Sequence, residues 1–370
     1  MSAYWQRHPS PPHPPLDGNA EADVCVIGLG ASGLAAVGEV RRLGHTVIGI
    51  DAAAVGAGAA GRNGGFLLAG LADFYHDAIE RIGRDRAAAI YRLTLTELDR
   101  LAAHFDTADA THVGFRRTGS LRIADDDDER ADCERMLAAL HHDGFDAEPY
   151  DGPEGHGLLI PTDGVFDPYI RCVLASALDA PLFAGTPATA IEPNTVTTPS
   201  GTIHCGAVVV AVDGGLERTL PELAPRVRTT RLQMLATAPA PPTFTRPVYA
   251  RWGYDYWQQL PTGEVLLGGC RDRFADDEWT HDAAPSAPVQ TCLDTLLRDR
   301  LHITAPVTHR WAGTVGYTTT RMPVCEQVRP GVFAVGGYCG TGNVIGPLCA
   351  RAAARLALQR PAAELTPLLS

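Results

Sequence analysis

An α/β fold with α+β inserts, in which the pieces of one parallel sheet are scattered along the chain, is predicted by three stretches of this 370-residue sequence. The first, Asp23 to Ala36, is a short apolar strand that runs into a glycine turn and at once into a helix. The second is the apolar run Ala207 to Val212, closed by Gly214 and Gly215; its length and valines favour a buried strand. The third is the strand-like Gly331 to Gly337, followed from Gly342 to Arg355 by a helical composition, so a glycine-lined strand-to-helix turn recurs near the far end.

Taken in order, Met1 to Leu16 carries an aromatic pair and the run Ser10-Pro-Pro-His-Pro-Pro15 instead of a basic segment followed by an apolar one. Residues 1–20 are therefore expected to be a poorly ordered Pro-rich arm and not a signal peptide, with a ligand for a proline-reading domain as the functional alternative. In the first strand-turn-helix, Gly28, Gly30 and Gly33 form a GxGxxG arrangement. Gly28 permits the turn, Gly30 lets the backbone approach a pyrophosphate, and Gly33 lets the helix lie tight on the strand. Unpaired N–H donors at Ala31, Ser32 and Gly33 then face the phosphates. A second strand, Thr46 to Ile50, ends in Asp51, placed to accept from a ribose diol, with Ala52 beside it. These features do not separate NAD from FAD. The next stretch does: from Ala52 to Gly65 side chains are almost absent, so the backbone can press against a large planar ligand where a nicotinamide enzyme would continue into a helix.

At 45% hydrophobic the composition is that of an ordinary globular protein, and no apolar run approaches the roughly 20 residues of a membrane-spanning helix. A formal charge of −12 argues against nucleic acid as a partner. The nine cysteines fall singly, without CxxC or metal-finger spacing, and read as buried or free thiols in a reducing cytoplasm. The acidic run Asp125 to Asp128 reads as a solvated helix approach and His141-His142 as exposed helix, not as metal ligands; no metal is expected.

The loop Gly56-Ala-Gly-Ala-Ala-Gly-Arg-Asn-Gly-Gly65 resembles the signature of the D-amino-acid-oxidase superfamily of FAD oxidoreductases, and within it the gamma-glutamylputrescine oxidase-like amine oxidases. The resemblance continues through Thr118 to Ile123, Tyr249 to Tyr256, Arg310 to Tyr317 and Gly336 to Asn343, nearly the whole chain. It implies a discontinuous Rossmann-like FAD-binding domain from residues 21–75, 150–224 and 319–370. The inserts, 76–149 and 225–318, would form a substrate domain with an antiparallel sheet. Helices are expected at Asp77 to Phe105 and Asp128 to Gly144, and a hairpin around Pro261-Thr-Gly263. The resemblance places Gly61, Arg62, Asn63, Gly64 and Gly65 against the flavin. It also sets Gly337 and the helix start at Gly340, Thr341, Gly342, Asn343 and Val344 at the pyrimidine edge, where negative charge develops on reduction.

A flavin accepts hydride from the carbon next to nitrogen, and the protein supplies orientation and the neutral amine. Deprotonating an alkyl amine of pKa near 10 at pH 7 costs about 4 kcal/mol, which an apolar aromatic pocket lowers. Tyr254, Tyr256, Trp257, Tyr317 and Tyr338 are candidates for that pocket, with Arg251 and Arg271 available to an anionic tail. Glycine-oxidase-like relatives carry an arginine after Trp-Ala-Gly that grips the substrate carboxylate; Val315 stands near that place here. Sarcosine-oxidase-like relatives link the flavin to a cysteine before a Tyr-Thr pair; before Tyr317-Thr318 the same valine occurs, and Cys339 does not match the linkage. The expectation is a cytoplasmic amine oxidase or dehydrogenase with non-covalent FAD, giving an imine that hydrolyses to a carbonyl product, with O2 or another acceptor. Alternatives are an oxidase of a secondary amine or N-substituted glycine releasing glyoxylate, and a flavin-binding protein without turnover.

Overall fold

The computed structural model describes residues 3–8, 11–105 and 113–369, and divides into two units. One comprises His8–Gly61, Pro168–Thr229 and Thr314–Ser370; the other comprises Met1–Arg7, Arg62–Asp167 and Thr230–Gly313. The boundaries expected at residues 75 and 150 fall instead after Gly61 and after Asp167, so the loop from Arg62 onward and the strand Gly155–Ile160 group with the inserts.

The first unit is a sheet in the order Val324–Arg329, Val332–Gly336, Gly201–Val210, Ala20–Ile27, Val47–Ile50, Leu182–Phe183. Along that order the neighbours run parallel except the edge strand Val324–Arg329; off it, Thr195–Thr198 pairs antiparallel with Gly201–Val210 and with Ala190–Glu192. The central strands read as unbroken Val and Ile runs because both faces are covered. Val24 and Val26 are fully buried, as are Cys25, Val208 and Val210 on the alternate positions. The helices Ala31–Arg42 and Gly342–Ala357 pack on each other and follow the strands Ala20–Ile27 and Val332–Gly336, which flank Gly201–Val210 on either side. All three stretches read from the sequence as strands or helix starts lie here.

The second unit carries an eight-stranded sheet in the order Val307–Thr318, Val227–Pro239, Glu264–Gly268, Asp255–Gln259, Val248–Ala250, Ser120–Ile123, Gly155–Ile160, Glu148–Gly152. The hairpin expected at Gly263 is present, with φ +102° at that residue. One face holds an apolar core of Leu121, Ile123, Val248, Trp257, Val265 and Leu267, covered by the helix Ala287–Thr295 through Val289 and Leu293. On the other face, around Ser120–Ile123, lie the helices Tyr75–Ile82, Arg84–Phe105 and Asp127–His142. The single helix expected over 77–105 is two, broken at Gly83, which caps the first with φ +83°. Asp126 accepts from the Glu129 N–H (2.8 Å) and Glu129 accepts from the Asp125 N–H (2.9 Å), so the acidic run is a helix cap.

Two further expectations are corrected. Within the 1–20 arm, Tyr4–Arg7 forms a 3-10 turn, and Tyr4 and Trp5 are buried because Trp5 has a bonding partner described below. Ser10 and Pro9 lie outside the described residues. Cys270 and Cys292 are joined as a disulfide across 22 positions, with Cα atoms 6.3 Å apart, so not every cysteine is a free thiol; the other seven are buried. Among the described residues no helix is long and apolar enough to cross a membrane, and no cluster of three or more His, Cys, Asp or Glu could hold a metal.

Candidate active site

In the first unit the close contacts of the glycine turn are backbone contacts. A Cβ on Gly33 would stand 1.7 Å from the Gly28 carbonyl oxygen, and one on Gly28, whose φ is +101°, would stand 2.6 Å from that of Ala211. The helix Ala31–Arg42 starts at Gly30 with no side-chain cap, which leaves its first N–H groups directed at whatever lies beyond the strand end. A second helix, Gly342–Ala357, likewise starts without a side-chain cap, and Arg171 holds its first turn by donating to the Asn343 carbonyl at 2.7 Å.

Asp51 does more than await a ribose. It accepts from the Leu29 N–H (2.7 Å) and the Ala53 N–H (2.8 Å), fixing the turn, and each oxygen keeps a second lone pair. Tyr338 is buried, and its hydroxyl donates to Ser32 Oγ at 3.0 Å, binding the turn before the last helix to the first turn of the glycine helix. That is a packing position, and it removes Tyr338 from the substrate candidates. Tyr317 is half-buried, with its hydroxyl 3.7 Å from where a Cβ on Gly340 would stand.

Sequence reading missed Asp213, at the carboxyl end of the strand Gly201–Val210. Its Oδ1 accepts from the Tyr338 N–H at 3.1 Å, and it also accepts backbone hydrogen bonds from Gly316 and Gly337. The carboxylate thus gathers three segments under the turn Gly337 to Asn343. Burial pushes its pKa up to about 6 against the pull of those three donors. The signal was present as a lone acid inside an apolar run.

In the second unit all four successive carbonyls of the loop Arg62–Gly65 accept hydrogen bonds. Trp311 Nε1 donates to Arg62 O (2.7 Å), Trp5 Nε1 to Asn63 O (2.7 Å), Gln258 Nε2 to Gly64 O and the Phe166 N–H to Gly65 O (3.0 Å). Asn63 Oδ1 accepts from the Gly65 N–H at 2.9 Å. Arg62 is half-buried and donates to Ala312 O at 3.2 Å.

The expected aromatic residues part company. Tyr256 stacks on Tyr249 (ring centroids 5.8 Å apart) with Phe66 at 5.9 Å, and a Cβ on Gly64 would come within 3.3 Å of its ring. Trp257, one position on, points into the apolar core. Tyr254 is 36% exposed, with the Arg271 guanidinium 5.4 Å from its ring, in a different place from Tyr256. Arg251 is bound by Asp255 (3.1 Å) and Asp272, which withdraws it from any anionic tail. Phe66 and Tyr249 were missed as candidates; Tyr249 sits in the motif that carried the resemblance.

A parallel sheet ending in two uncapped helix starts, with a glycine at each close backbone contact, suits a dinucleotide pyrophosphate. That sets the protein in the class of dinucleotide-dependent oxidoreductases. Residues 23–356 match the family described as DAO, FAD dependent oxidoreductase, and the chain belongs to it. It is 28% identical to "Probable oxidoreductase OrdL" of Rhizobium meliloti (strain 1021), covering 94% of this chain and 86% of that one. It is 24% identical to "Gamma-glutamylputrescine oxidoreductase" of Escherichia coli (strain K12), covering 93% and 85%. The fold matches that of glycine oxidase from Geobacillus kaustophilus with a TM-score of 0.76 at 19% identity, over 93% of this chain and 96% of that one. The protein is an FAD-dependent oxidoreductase of the amine and amino-acid oxidase type.

Proposed function

We propose that the enzyme oxidises the C–N bond of a small amine, giving an imine that hydrolyses to a carbonyl product, with FAD bound non-covalently and O2 as the acceptor. The observation that carries this reading is the aromatic group Phe66, Tyr249 and Tyr256 beside Gly64, in the loop read as facing the flavin. When bound, FAD supplies the hydride acceptor. Gly28, Gly30, Gly33 and the N–H groups of Ala31 to Gly33 would hold its pyrophosphate, Asp51 with Ala52 its ribose, and the turn from Gly337 to Val344 its pyrimidine edge.

The chain's own contribution is orientation and desolvation. Half-buried aromatic walls disfavour an ammonium ion, so the amine is presented as the neutral donor. No basic side chain is required beside it. The Cys339 thiol is buried, accepts from the Thr318 N–H at 3.5 Å, and has its pKa raised by burial, which supports a flavin without a thioether.

The test is the visible spectrum of the purified protein under anaerobic titration with primary amines, N-alkyl glycines and D-amino acids. Bleaching by primary amines, with aldehyde formed on aeration, is expected. Glyoxylate from N-alkyl glycines would replace this substrate class, and a yellow protein that no amine bleaches would refute turnover altogether.

A further inference from the structure

The family match begins at residue 23, so the turn Tyr4–Arg7 lies outside it, yet that turn groups with the second unit. Ala3, Tyr4 and Trp5 are buried, whereas Arg7, His8, Pro11 and Pro12 are exposed. Among the described residues of this segment the anchor is therefore three residues long, and the Gln6 N–H closes the turn on the Ala3 carbonyl at 3.0 Å. Burial of two aromatic rings and the conformational cost of ordering a short segment are opposing contributions of comparable size. The anchor thus stands close to balance between docked and released.

What the anchor touches gives it a role. Two indoles hold successive carbonyls of the glycine loop, Trp311 that of Arg62 and Trp5 that of Asn63, each at 2.7 Å. Tyr4 packs edge-on against Trp5 (5.6 Å) and against His309 (5.4 Å), two positions before Trp311 on the strand Val307–Thr318. The Trp5 ring also closes on Gly65, where a Cβ would stand 3.1 Å from its Cζ2. In a trans peptide the carbonyl and the following N–H point opposite ways, so with its carbonyl on Trp5 the peptide between Asn63 and Gly64 directs the Gly64 N–H away from Trp5. Gly64 is buried, and among the described residues its N–H meets no acceptor. A buried N–H without a partner is costly, and it marks a place for an acceptor on a ligand.

We infer that Trp5 is a positioning residue of the flavin site, and that residues 3–7 are a strap whose docking and FAD binding reinforce each other. This rests on the reading of residues 61–65 as the loop that meets the flavin. With the strap docked, the peptide after Asn63 is fixed before the ligand arrives. With the strap released, that peptide can turn, and the cost of ordering it falls on FAD binding. By linkage, the factor by which a docked strap tightens FAD is the factor by which FAD holds the strap down.

The experiment uses the full-length chain with FAD as the probe, so that it does not depend on any amine. Trp5→Phe keeps an apolar ring and removes the donor, and Trp5→His returns a ring N–H at the same distance from the backbone. Affinity is read from quenching of FAD fluorescence, and the setting of the flavin from its visible absorption bands. Release of the strap is read from the rate of tryptic cleavage after Arg7, whose guanidinium lies 4.0 Å from the Tyr4 ring when docked. Trp5→Phe should weaken FAD binding about tenfold and shift the visible bands, and Trp5→His should recover part of both. In wild type FAD should slow cleavage after Arg7 about tenfold, and in Trp5→Phe that protection should be lost. A purely structural tryptophan would lower the thermal midpoint of Trp5→Phe with FAD affinity and bands unchanged, which overturns the inference. Should Trp5→Phe fail to fold, wild type decides, because cleavage after Arg7 at one rate with and without FAD overturns it equally. A wild type that binds no FAD overturns the reading of the loop and the strap with it, whereas binding within about twofold in wild type and Trp5→Phe overturns the strap alone.

Discussion

Adding one methyl group at Gly33 tests the cradle directly. Its Cβ would stand 1.7 Å from the Gly28 carbonyl oxygen, so an ordinary non-bonded separation of about 3.4 Å requires the helix start to retreat by about 1.7 Å. N–H donors that reached a phosphate oxygen at about 2.9 Å would then lie beyond hydrogen-bond range. Two such charge-assisted bonds are worth about 3–6 kcal/mol together, so Gly33→Ala should weaken FAD binding by roughly 10²- to 10⁴-fold. The assay is quenching of FAD fluorescence on titration into apoprotein, with far-ultraviolet circular dichroism to establish that the variant is folded. A folded variant that binds FAD within threefold of wild type would refute the placement of the phosphate. A variant that unfolds calls for Gly30→Val, where the nearest neighbour to a Cβ is the Ala60 methyl at 3.1 Å and the added bulk meets the phosphate site more than the backbone.

Two further outcomes follow from the same geometry. Trp311→Phe removes the donor to the Arg62 carbonyl and should destabilise the holoprotein by about 1–3 kcal/mol, lowering its thermal midpoint and perturbing the flavin spectrum; an unchanged midpoint and spectrum would show that the loop is held without that bond. The pKa of Asp213, raised from 3.8 to about 6 on folding, makes its charged form unfavourable, so its contribution to stability is present at low pH and is lost as pH rises through 6. Between pH 7 and pH 5 wild type should gain on the order of 1 kcal/mol relative to Asp213→Asn in urea denaturation, and an equal response of the two proteins would contradict the assignment.

The nucleotide unit was legible because its signals are local: a glycine, its strand and its helix lie within fourteen residues, and Gly33 answers a contact with Gly28 five positions before it. The aromatic site was legible only in part. Alternation says that Tyr256 and Trp257 face opposite ways, but not which faces the core, and only the helix Ala287–Thr295 decides that. The same limit hid Tyr338, whose partner Ser32 is 306 positions away, and Trp5, whose hydrogen bond reaches Asn63. The Pro-rich composition after Trp5 gave the false expectation of a loose arm for Tyr4 and Trp5. The unit boundary after Gly61 has no mark of its own, since the small residues run on to Gly65 and it is the distant donors Trp311 and Gln258 that claim the last four.

The bond between Tyr338 and Ser32 bears on biosynthesis. The glycine helix emerges early, yet the strand Val332–Gly336 that pairs in its sheet and the helix Gly342–Ala357 that packs on it are translated some three hundred residues later. Contacts of such sequence separation close slowly, and until they do the long apolar strand Gly201–Val210 has an open edge. The nascent chain therefore holds the glycine turn before Ala31–Arg42 unfinished through most of its synthesis.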